Sequence, residues 1–253
     1  MTARKGEPRT VLPPHRPLAE FYPGPAARVQ FVGDLFDHAA RDYDWISRVM
    51  SLGTDRFYRR FALRRAGLRP GMKVLDVATG TGLLAQAALE VGIPASDLTG
   101  LDPSKGMLEQ NRRRRPIRLL QGTGEALPFY DATFDFVLMG YALRHVEDLV
   151  QLFAEFRRVL RRPGRVLILE ITRPSSRLGY ILMRLSLQRA LPWLTRLCTR
   201  SQDSARLVEY YWATIAECVA PHSILAALSF AGFSKAERVT RGRIFSEYLA
   251  DTC

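Results

Sequence analysis

A buried strand that turns through two glycines into a helix is the feature that most constrains the fold of this chain. The residues are Val74-Leu75-Asp76-Val77-Ala78-Thr79-Gly80-Thr81-Gly82. Glycine lets the backbone turn tightly and approach a ligand, while the first amides of the next helix offer N–H donors and the positive end of a dipole. We therefore expect a nucleotide-like ligand at this turn, with contacts from Thr79, Gly80, Thr81 and Gly82.

An acidic residue follows at an informative distance. Asp102 ends the second predicted strand, 20 residues after Gly82, and an acid at this spacing reaches the paired hydroxyls of an adenosine ribose. We expect Asp102 and the adjacent Pro103 at this ligand. In the loop Gly122-Thr123-Gly124 after the third strand, polar backbone is available to bracket an adenine edge, although a simple turn explains the same residues.

Two classes of ligand compete for the loop. Gly80, Gly82 and Ala85 also match the G-x-G-x-x-[GA] spacing of nicotinamide dinucleotide enzymes. Asp76 favours the other class, because a carboxylate at the mouth of the loop repels a pyrophosphate and suits the ammonium of an amino-acid ligand.

From residue 74 onward, short apolar runs alternate with segments of helix length. The predicted strands are residues 74–77, 98–101, 117–120, 134–139, 166–171, 235–239 and 244–248. This alternation is typical of βαβ units. It predicts an α/β fold with a Rossmann-like, doubly wound, mostly parallel seven-stranded sheet.

The chain of 253 residues is long enough for one such domain with additions. Residues 1–27 are rich in proline and poor in clustered hydrophobic residues, which predicts a flexible tail. Residues 28–253 form the predicted domain. Within it, residues 28–70 are a helical preface and residues 176–220 a helical insertion that covers the ligand site.

The charge balance is strongly basic, with 37 Lys and Arg against 25 Asp and Glu and a net charge of +12. Such a surface attracts phosphate, nucleic acid or an anionic bilayer, or it reflects an arginine-rich composition. Residues 176–200 interleave large apolar side chains with five arginines. This pattern indicates a peripheral contact with an anionic membrane, an ordinary cover over the site, or a homodimer surface. The run 112–115 is typical of a solvated helix end, so a nucleic-acid partner is not expected.

Three widely spaced cysteines without a C-x-x-C pair predict neither a disulfide framework nor zinc. His15, His38 and His222 lack metal-ligand spacing, so no metal site is expected. With no apolar leader and no run of about 18 apolar residues, we expect a cytoplasmic protein, peripheral at most on the inner face of the membrane.

Several motifs carry a family resemblance. The 76–82 loop, Leu101-Asp102, Gly124-Glu-Ala-Leu-Pro-Phe and Leu160-Arg-Arg-Pro-Gly-Arg-Val-Leu resemble the class I S-adenosylmethionine methyltransferases. Residues 36–44 (FDHAARDYD), 50–56 (MSLGTDR) and 141–148 (YALRHVED) are more specific and look like the ubiquinone/menaquinone biosynthesis C-methyltransferase family. The similarity covers about residues 31–250.

The resemblance implies S-adenosylmethionine as cofactor, with contacts at Thr81, Asp102, Thr123 and Gly124. It also implies a small-molecule or lipid-like acceptor with a quinol or phenol ring, such as demethylmenaquinol or a ubiquinone precursor. The chain departs from the family pattern at Leu83, Thr123, Gly140 and His145. Gly140 stays among the predicted cofactor contacts.

Methylation of a ring carbon beside a phenol requires a base or a cation that stabilises the phenolate. Tyr141, Arg144 and His145 follow the fourth strand, at the sheet edge where open α/β folds bind ligands. Arg144 is predicted to stabilise the oxyanion and His145 to accept the proton. The structural alternative pairs Arg144 with Glu147 or Asp148 and packs His145 locally.

Tyr43 and Tyr210 are further candidates, as walls of the acceptor pocket. Three other functions stay open at this point. The first is a methyltransferase of the same fold whose acceptor is a phospholipid amine or a secondary metabolite. The second is a catalytically decayed enzyme that keeps the cofactor site and serves as an assembly protein. The third is a nicotinamide-dependent dehydrogenase.

Overall fold

The computed structural model describes residues 11–242 and 244–253. The strands are β1 (Val74–Val77), β2 (Leu98–Asp102), β3 (Arg118–Gln121), β4 (Phe134–Gly140), β5 (Leu160–Ile171), β6 (Ser234–Arg241) and β7 (Phe245–Thr252). The α-helices are α1 (Pro25–Ala39), α2 (Tyr43–Met50), α3 (Asp55–Arg65), α4 (Leu83–Glu90), α5 (Lys105–Arg112), α6 (Leu149–Val159), α7 (Arg177–Leu185), α8 (Leu191–Thr199), α9 (Gln202–Glu217) and α10 (Pro221–Phe230).

The described strands form one seven-stranded sheet in the order β3-β2-β1-β4-β5-β7-β6. β1 pairs in parallel with β2 and with β4, with Val74 opposite Leu98 on one side and Phe136 on the other. β7 runs antiparallel to both β5 and β6. The predicted mostly parallel, doubly wound sheet is confirmed.

Helices cover both faces of this sheet. On one face α6 and α10 contribute Phe153, Phe156 and Leu228 to a buried core. On the other face α3 and α4 contribute Leu63 and Leu84. Because both faces are covered, every residue of β1 and of β2 is buried, as expected for central parallel strands.

A third core lies outside these layers and joins the N-terminal helices to α9. Leu35 of α1, Ile46 of α2 and Tyr210 of α9 are buried in it. Within the helical insertion predicted over residues 176–220, the chain forms α7, a π-helical turn at Ser186–Ala190, and α8, followed by α9. Leu187 in that turn is buried in the same core, so the α7–α8 segment packs beside α9.

The N-terminal segment differs from the sequence-based expectation. Leu18 and Tyr22 are buried in the third core, and the Val219 amide donates to the Pro14 carbonyl at 2.8 Å. His15 forms an isolated antiparallel bridge with Cys218. The predicted flexible tail is therefore wrong for residues 11–27, because these apolar side chains have a surface to pack on. Residues 1–10 of that prediction lie outside the described residues.

Across the part of the chain that the structure describes, no helix combines the length and the apolar character needed to cross a bilayer.

Candidate active site

A cavity of about 180 Å³ lies at the carboxyl ends of β1, β2 and β4, and α1 closes it from outside the sheet. The lining residues are Arg28, Val29, Val32, Gly33, Phe36, Tyr43, Val77, Ala78, Gly80, Asp102, Pro103, Ser104, Met107, Thr123, Gly124, Glu125, Met139, Gly140, Tyr141, Ala142, His145, Val146 and Glu147. This is the edge at which parallel α/β sheets bind ligands.

Nine residues predicted from sequence line this cavity together, namely Tyr43, Gly80, Asp102, Pro103, Thr123, Gly124, Gly140, Tyr141 and His145. Seven others do not line it, namely Asp76, Thr79, Thr81, Gly82, Gly122, Arg144 and Tyr210. The second group stands behind the wall, and its contacts describe how the wall is built.

The carboxylate of Asp102 ties the glycine loop to the end of β2. One oxygen accepts a hydrogen bond from the Gly80 amide at 2.7 Å, and the other accepts one from the Ser104 amide at 2.9 Å. Burial raises the pKa of Asp102 to about 6, although both amide donors favour the ionised form. An acceptor group is thus held in a fixed position on the cavity wall.

Asp76 is almost completely buried at the end of β1. One carboxylate oxygen accepts a hydrogen bond from the Thr79 hydroxyl at 2.6 Å. The other oxygen, Oδ1, is buried without a hydrogen-bond partner among the described residues. Burial raises the pKa of Asp76 to about 7. An unpaired carboxylate oxygen at this depth is suited to a cationic or hydrogen-donating group of a ligand.

The two glycines of the loop have different roles: Gly82 allows close packing of the loop, and Gly80 exposes its backbone to the cavity. Gly82 has a φ of 87°, and a Cβ there would lie 2.4 Å from the side chain of Asn111. Gly80 has a φ of 56° and open space where its Cβ would stand, so its backbone faces the cavity. The Thr81 hydroxyl donates to Asp44 at 2.5 Å, which ties the loop to α2.

The loop after β3 is packed closely against β2 and α6. The Gly122 amide donates to the Asp102 carbonyl at 3.1 Å. A Cβ on Gly124 would lie 2.5 Å from the side chain of Leu152. Glycine at position 124 therefore lets the backbone of Thr123 and Gly124 reach the cavity while α6 packs behind it.

Tyr141 forms a rigid part of the wall beyond β4. Its φ is 60°, a left-handed value that is rare for a residue other than glycine. Its hydroxyl donates to Asp55 at 3.2 Å, and Arg59 lies over its ring at 5.0 Å. Burial raises the pKa of Tyr141 well above its ordinary value. The residue is therefore a neutral donor, and its phenol does not ionise near neutral pH.

His145 presents a neutral imidazole to the cavity. Its ring stacks on Tyr210 with centroids 5.5 Å apart and meets the edge of Phe36 at 5.1 Å. Both ring nitrogens are buried without a hydrogen-bond partner among the described residues. Burial, aided by the positive charge of Arg144, lowers the pKa of His145 well below its ordinary value. The ring is placed to receive a hydrogen bond from a ligand.

Arg144 lies behind the wall, and neither of the partners proposed for it from sequence is correct. Its side chain is 2% exposed, and Nε forms an ion pair with Glu170 at 2.9 Å. Nη1 donates to the Thr214 hydroxyl at 2.7 Å. Asp148 instead caps α6 by accepting from the Val150 amide at 2.9 Å. The charge of Arg144 is satisfied inside the protein.

Sequence reasoning missed the contribution of α1 to the cavity. Arg28, Val32 and Phe36 all line it, and they are spaced four residues apart on one helix. That spacing was available as a signal for one helix face. Which surface the face covers depends on the packing of α1 against α5 and α9.

Comparison with known proteins identifies the family. Residues 26–242 match the model of the ubiE/COQ5 methyltransferase family. The chain belongs to this family. The family predicted from sequence is thus confirmed, and the match decides against the nicotinamide alternative.

Curated relatives agree. A demethylmenaquinone methyltransferase of Symbiobacterium thermophilum is 40% identical over 162 residues, which cover 61% of this chain and 64% of the relative. One from Mycobacterium sp. strain JLS is 37% identical over 68% of this chain and 74% of the relative. The ubiquinone/menaquinone biosynthesis C-methyltransferase of Desulfotalea psychrophila is 37% identical over 66% of this chain and 68% of the relative.

Solved structures share the fold at low identity. A methyltransferase from Thermotoga maritima, described as a possible histamine N-methyltransferase, aligns with a TM-score of 0.61 and 18% identity over 87% of this chain and 99% of its own. An S-adenosylmethionine-dependent methyltransferase from Aquifex aeolicus aligns with a TM-score of 0.56 and 16% identity over 77% of this chain and 89% of its own. At this identity the likeness concerns the fold alone.

Proposed function

We propose that this protein transfers a methyl group from S-adenosylmethionine to a ring carbon of a quinol of the demethylmenaquinol type. The observation that carries the proposal is a single cavity lined by Asp102 and Gly80 and also by an aromatic wall of Phe36, Tyr43 and His145. Family membership and the names of the relatives support the same chemistry.

The residues present fit this cofactor. Asp102 lines the cavity and offers a carboxylate to the hydroxyls of a ribose. The carboxylate of Asp76, behind the wall, favours a ligand that carries an ammonium group over one that carries a pyrophosphate. The open backbone at Gly80 accommodates a close approach. When bound, S-adenosylmethionine supplies an electrophilic methyl group attached to a positively charged sulfur.

The protein contributes position and exclusion of water. Val29, Val32 and Met139 give the cavity an apolar lining, which suits a naphthoquinol ring and keeps competing water away. The aromatic wall orients the ring so that one carbon faces the methyl group, and such orientation supplies much of the rate of a two-substrate displacement. The net reaction releases one proton.

Titration calorimetry with S-adenosylmethionine and S-adenosylhomocysteine tests the cofactor. Transfer of labelled methyl to a short-chain demethylated naphthoquinol then tests the acceptor, with a lipid extract as the comparison substrate. Asp102→Asn is expected to weaken cofactor binding about tenfold, while the surface variant Asp131→Asn leaves it unchanged. Binding without quinol turnover contradicts the proposed acceptor, and absence of binding contradicts the methyltransferase itself.

The proposal extends to the place where the acceptor is met. Large apolar side chains are exposed along α7 and α8, namely Leu178, Ile181, Leu182, Leu185, Trp193 and Leu197. Six arginines are exposed on the same segment, namely Arg173, Arg177, Arg184, Arg189, Arg196 and Arg200. No Asp or Glu occurs between Glu170 and Asp203. Among the described residues, none of the six arginines forms an ion pair.

Apolar side chains flanked by unpaired arginines are complementary to an anionic bilayer. We therefore assign this surface to peripheral contact with such a membrane, where a quinol with an isoprenoid tail resides. Binding to phosphatidylglycerol vesicles should exceed binding to phosphatidylcholine vesicles. Binding to phosphatidylglycerol vesicles should be weaker for Leu182→Glu. The control Leu52→Glu alters an apolar residue that is 89% exposed but lies outside this surface, and it should bind as the wild type does. A dimer in light scattering that Leu182→Glu dissociates would assign the surface to a second copy instead.

A further inference from the structure

Arg28 is a buried cation on the wall of the cavity. It lies on α1, is 7% exposed, and lines the cavity together with His145. Its Nη2 donates to the Arg144 carbonyl at 3.1 Å and contacts Nε2 of His15 at 3.2 Å. Its Nε is buried and has no hydrogen-bond partner among the described residues.

Within the part of the chain that the structure describes, the charge of Arg28 has no counter-charge at ion-pair distance. Two other buried arginines near the site have one each, since Arg144 pairs with Glu170 and Arg59 pairs with Asp55. Arg115, which is also buried, donates to the Thr81 carbonyl and, among the described residues, forms no ion pair either, but it does not line the cavity. Among the described residues, no carboxylate lies within 4.0 Å of the guanidinium of Arg28. Glu125 and Glu147 line the same cavity but lie beyond this distance.

His15 does not supply the missing negative charge. A guanidinium only donates hydrogen bonds, so Nε2 of His15 is the acceptor and the ring is neutral. Nδ1 then donates to the Arg16 carbonyl at 2.6 Å. Burial lowers the pKa of His15 to about 4. The imidazole therefore orients Arg28 and leaves its charge uncompensated.

We propose that Arg28 binds the ionised hydroxyl oxygen of the acceptor, next to the ring carbon that is methylated. The inference rests on the proposed function and adds to it an anionic, phenolate form of the bound acceptor. An uncompensated buried cation is costly to the free protein, and a ligand oxyanion in this cavity provides the missing partner. Arg28 thereby takes the role that the sequence suggested for Arg144.

The chemistry balances with the groups present. The acceptor hydroxyl loses its proton to water, and the oxyanion forms at the guanidinium of Arg28. The ring carbon beside it donates an electron pair to the methyl carbon and forms the new carbon–carbon bond as the carbon–sulfur bond breaks, with that pair staying on sulfur. The same ring carbon then loses its proton while the oxygen regains one, which restores the aromatic hydroxyl.

The first test measures ionisation of a bound phenol and needs no turnover. 1-Naphthol changes its absorption spectrum on ionisation, so its apparent pKa is read in the presence of saturating protein and S-adenosylhomocysteine. The wild type should lower the pKa of the bound naphthol by about 1–2 units, as a neighbouring cation does. Arg28→Met should abolish the shift and Arg28→Lys should retain much of it. The control Arg206→Met removes an exposed arginine that packs on Phe31 and should leave it unchanged.

The second test separates the inference from the proposed function. In turnover of the naphthoquinol, Arg28→Met should lower kcat about 100-fold at pH 7, and the deficit should narrow as pH rises because the acceptor then ionises unaided. Affinity for S-adenosylhomocysteine and the melting temperature serve as checks that the variants fold. A naphthol shift that is absent in the wild type, or unchanged in Arg28→Met, overturns the inference. If the shift depends on Arg28 but the naphthoquinol is not methylated, the inference holds and the proposed acceptor is wrong.

Discussion

The buried ion pair between Arg144 and Glu170 permits a quantitative prediction. The two side chains are each 2% exposed and meet at 2.9 Å. Burial opposes the charge on Arg144, but Glu170 more than offsets this, so the pKa of Arg144 lies above its ordinary value. Arg144→Gln leaves the carboxylate of Glu170 buried without its cation. Removing one partner of such a pair costs about 3–5 kcal/mol.

In a domain of this size, 1 kcal/mol corresponds to about 2–4 °C in melting temperature. Arg144→Gln is therefore expected to lower the melting temperature by about 6–20 °C, and Glu170→Gln by a similar amount. The double variant should lose much less than the sum of the two single variants, because neither charge is then left unpaired. Differential scanning calorimetry measures all three, with Arg196→Gln as the control for an exposed arginine.

The reasoning fails if Arg144→Gln keeps the wild-type melting temperature and loses turnover more than 100-fold. That result would mean that the guanidinium acts on the substrate rather than through the position of the wall. If Arg144 only positions the wall, Arg144→Gln should lose activity because part of the protein is unfolded. Lowering the assay temperature should then restore both the folded fraction and the turnover.

Three further predictions concern the loop and the buried acids and bases. Gly82→Ala combines a φ of 87° with a Cβ 2.4 Å from Asn111, so urea unfolding should show a loss of about 2–4 kcal/mol; Gly80→Ala, where the space is open, should lose about 1 kcal/mol. Asp76→Asn should stabilise the ligand-free protein by about 2–4 kcal/mol at pH 8 but not at pH 3.5. The reason is that burial raises the folded-state pKa of Asp76 to about 7. The protonated carboxyl group therefore favours the folded state at low pH, and this contribution to stability is lost as pH rises through that value. Burial lowers the pKa of His15 to about 4, so protonation favours the unfolded state between about pH 6.5 and 4. Between pH 7 and pH 5, the free energy of unfolding of His15→Gln should therefore fall by about 1–2 kcal/mol less than that of the wild type, as measured by urea titrations at both pH values.

Much of the fold could be predicted because its signals are local. The strand before Gly80, the turn and the start of the following helix are encoded in about a dozen adjacent residues, and Asp102 ends the next strand. The sheet edge then brings Gly80, Asp102, Thr123 and Gly140 to one cavity. Parallel strands share one carboxyl edge whatever the details of their packing.

Other features of the site depend on residues far apart in sequence. A buried arginine has the same appearance in a sequence whether or not a carboxylate meets it. Glu170 lies on β5, 26 residues after Arg144, and Arg28 meets the Arg144 carbonyl across 116 residues. Neither pairing follows a helical or strand period, so sequence reasoning named Arg144 as a candidate and did not consider Arg28.

The sequence by itself determined the family, the glycine loop, the strand that carries Asp102 and the order of helices and strands, since each depends on short-range periodicity and turn chemistry. Only the tertiary structure decided which arginine is neutralised and which faces the cavity, that residues 11–27 pack instead of forming a tail, and that α1 closes the site. Those outcomes depend on which surfaces meet, across 26 residues of chain for Arg144 and Glu170 and across 116 for Arg28 and Arg144. Burial and the partners met there, which no local pattern encodes, decide the charge that each side chain carries.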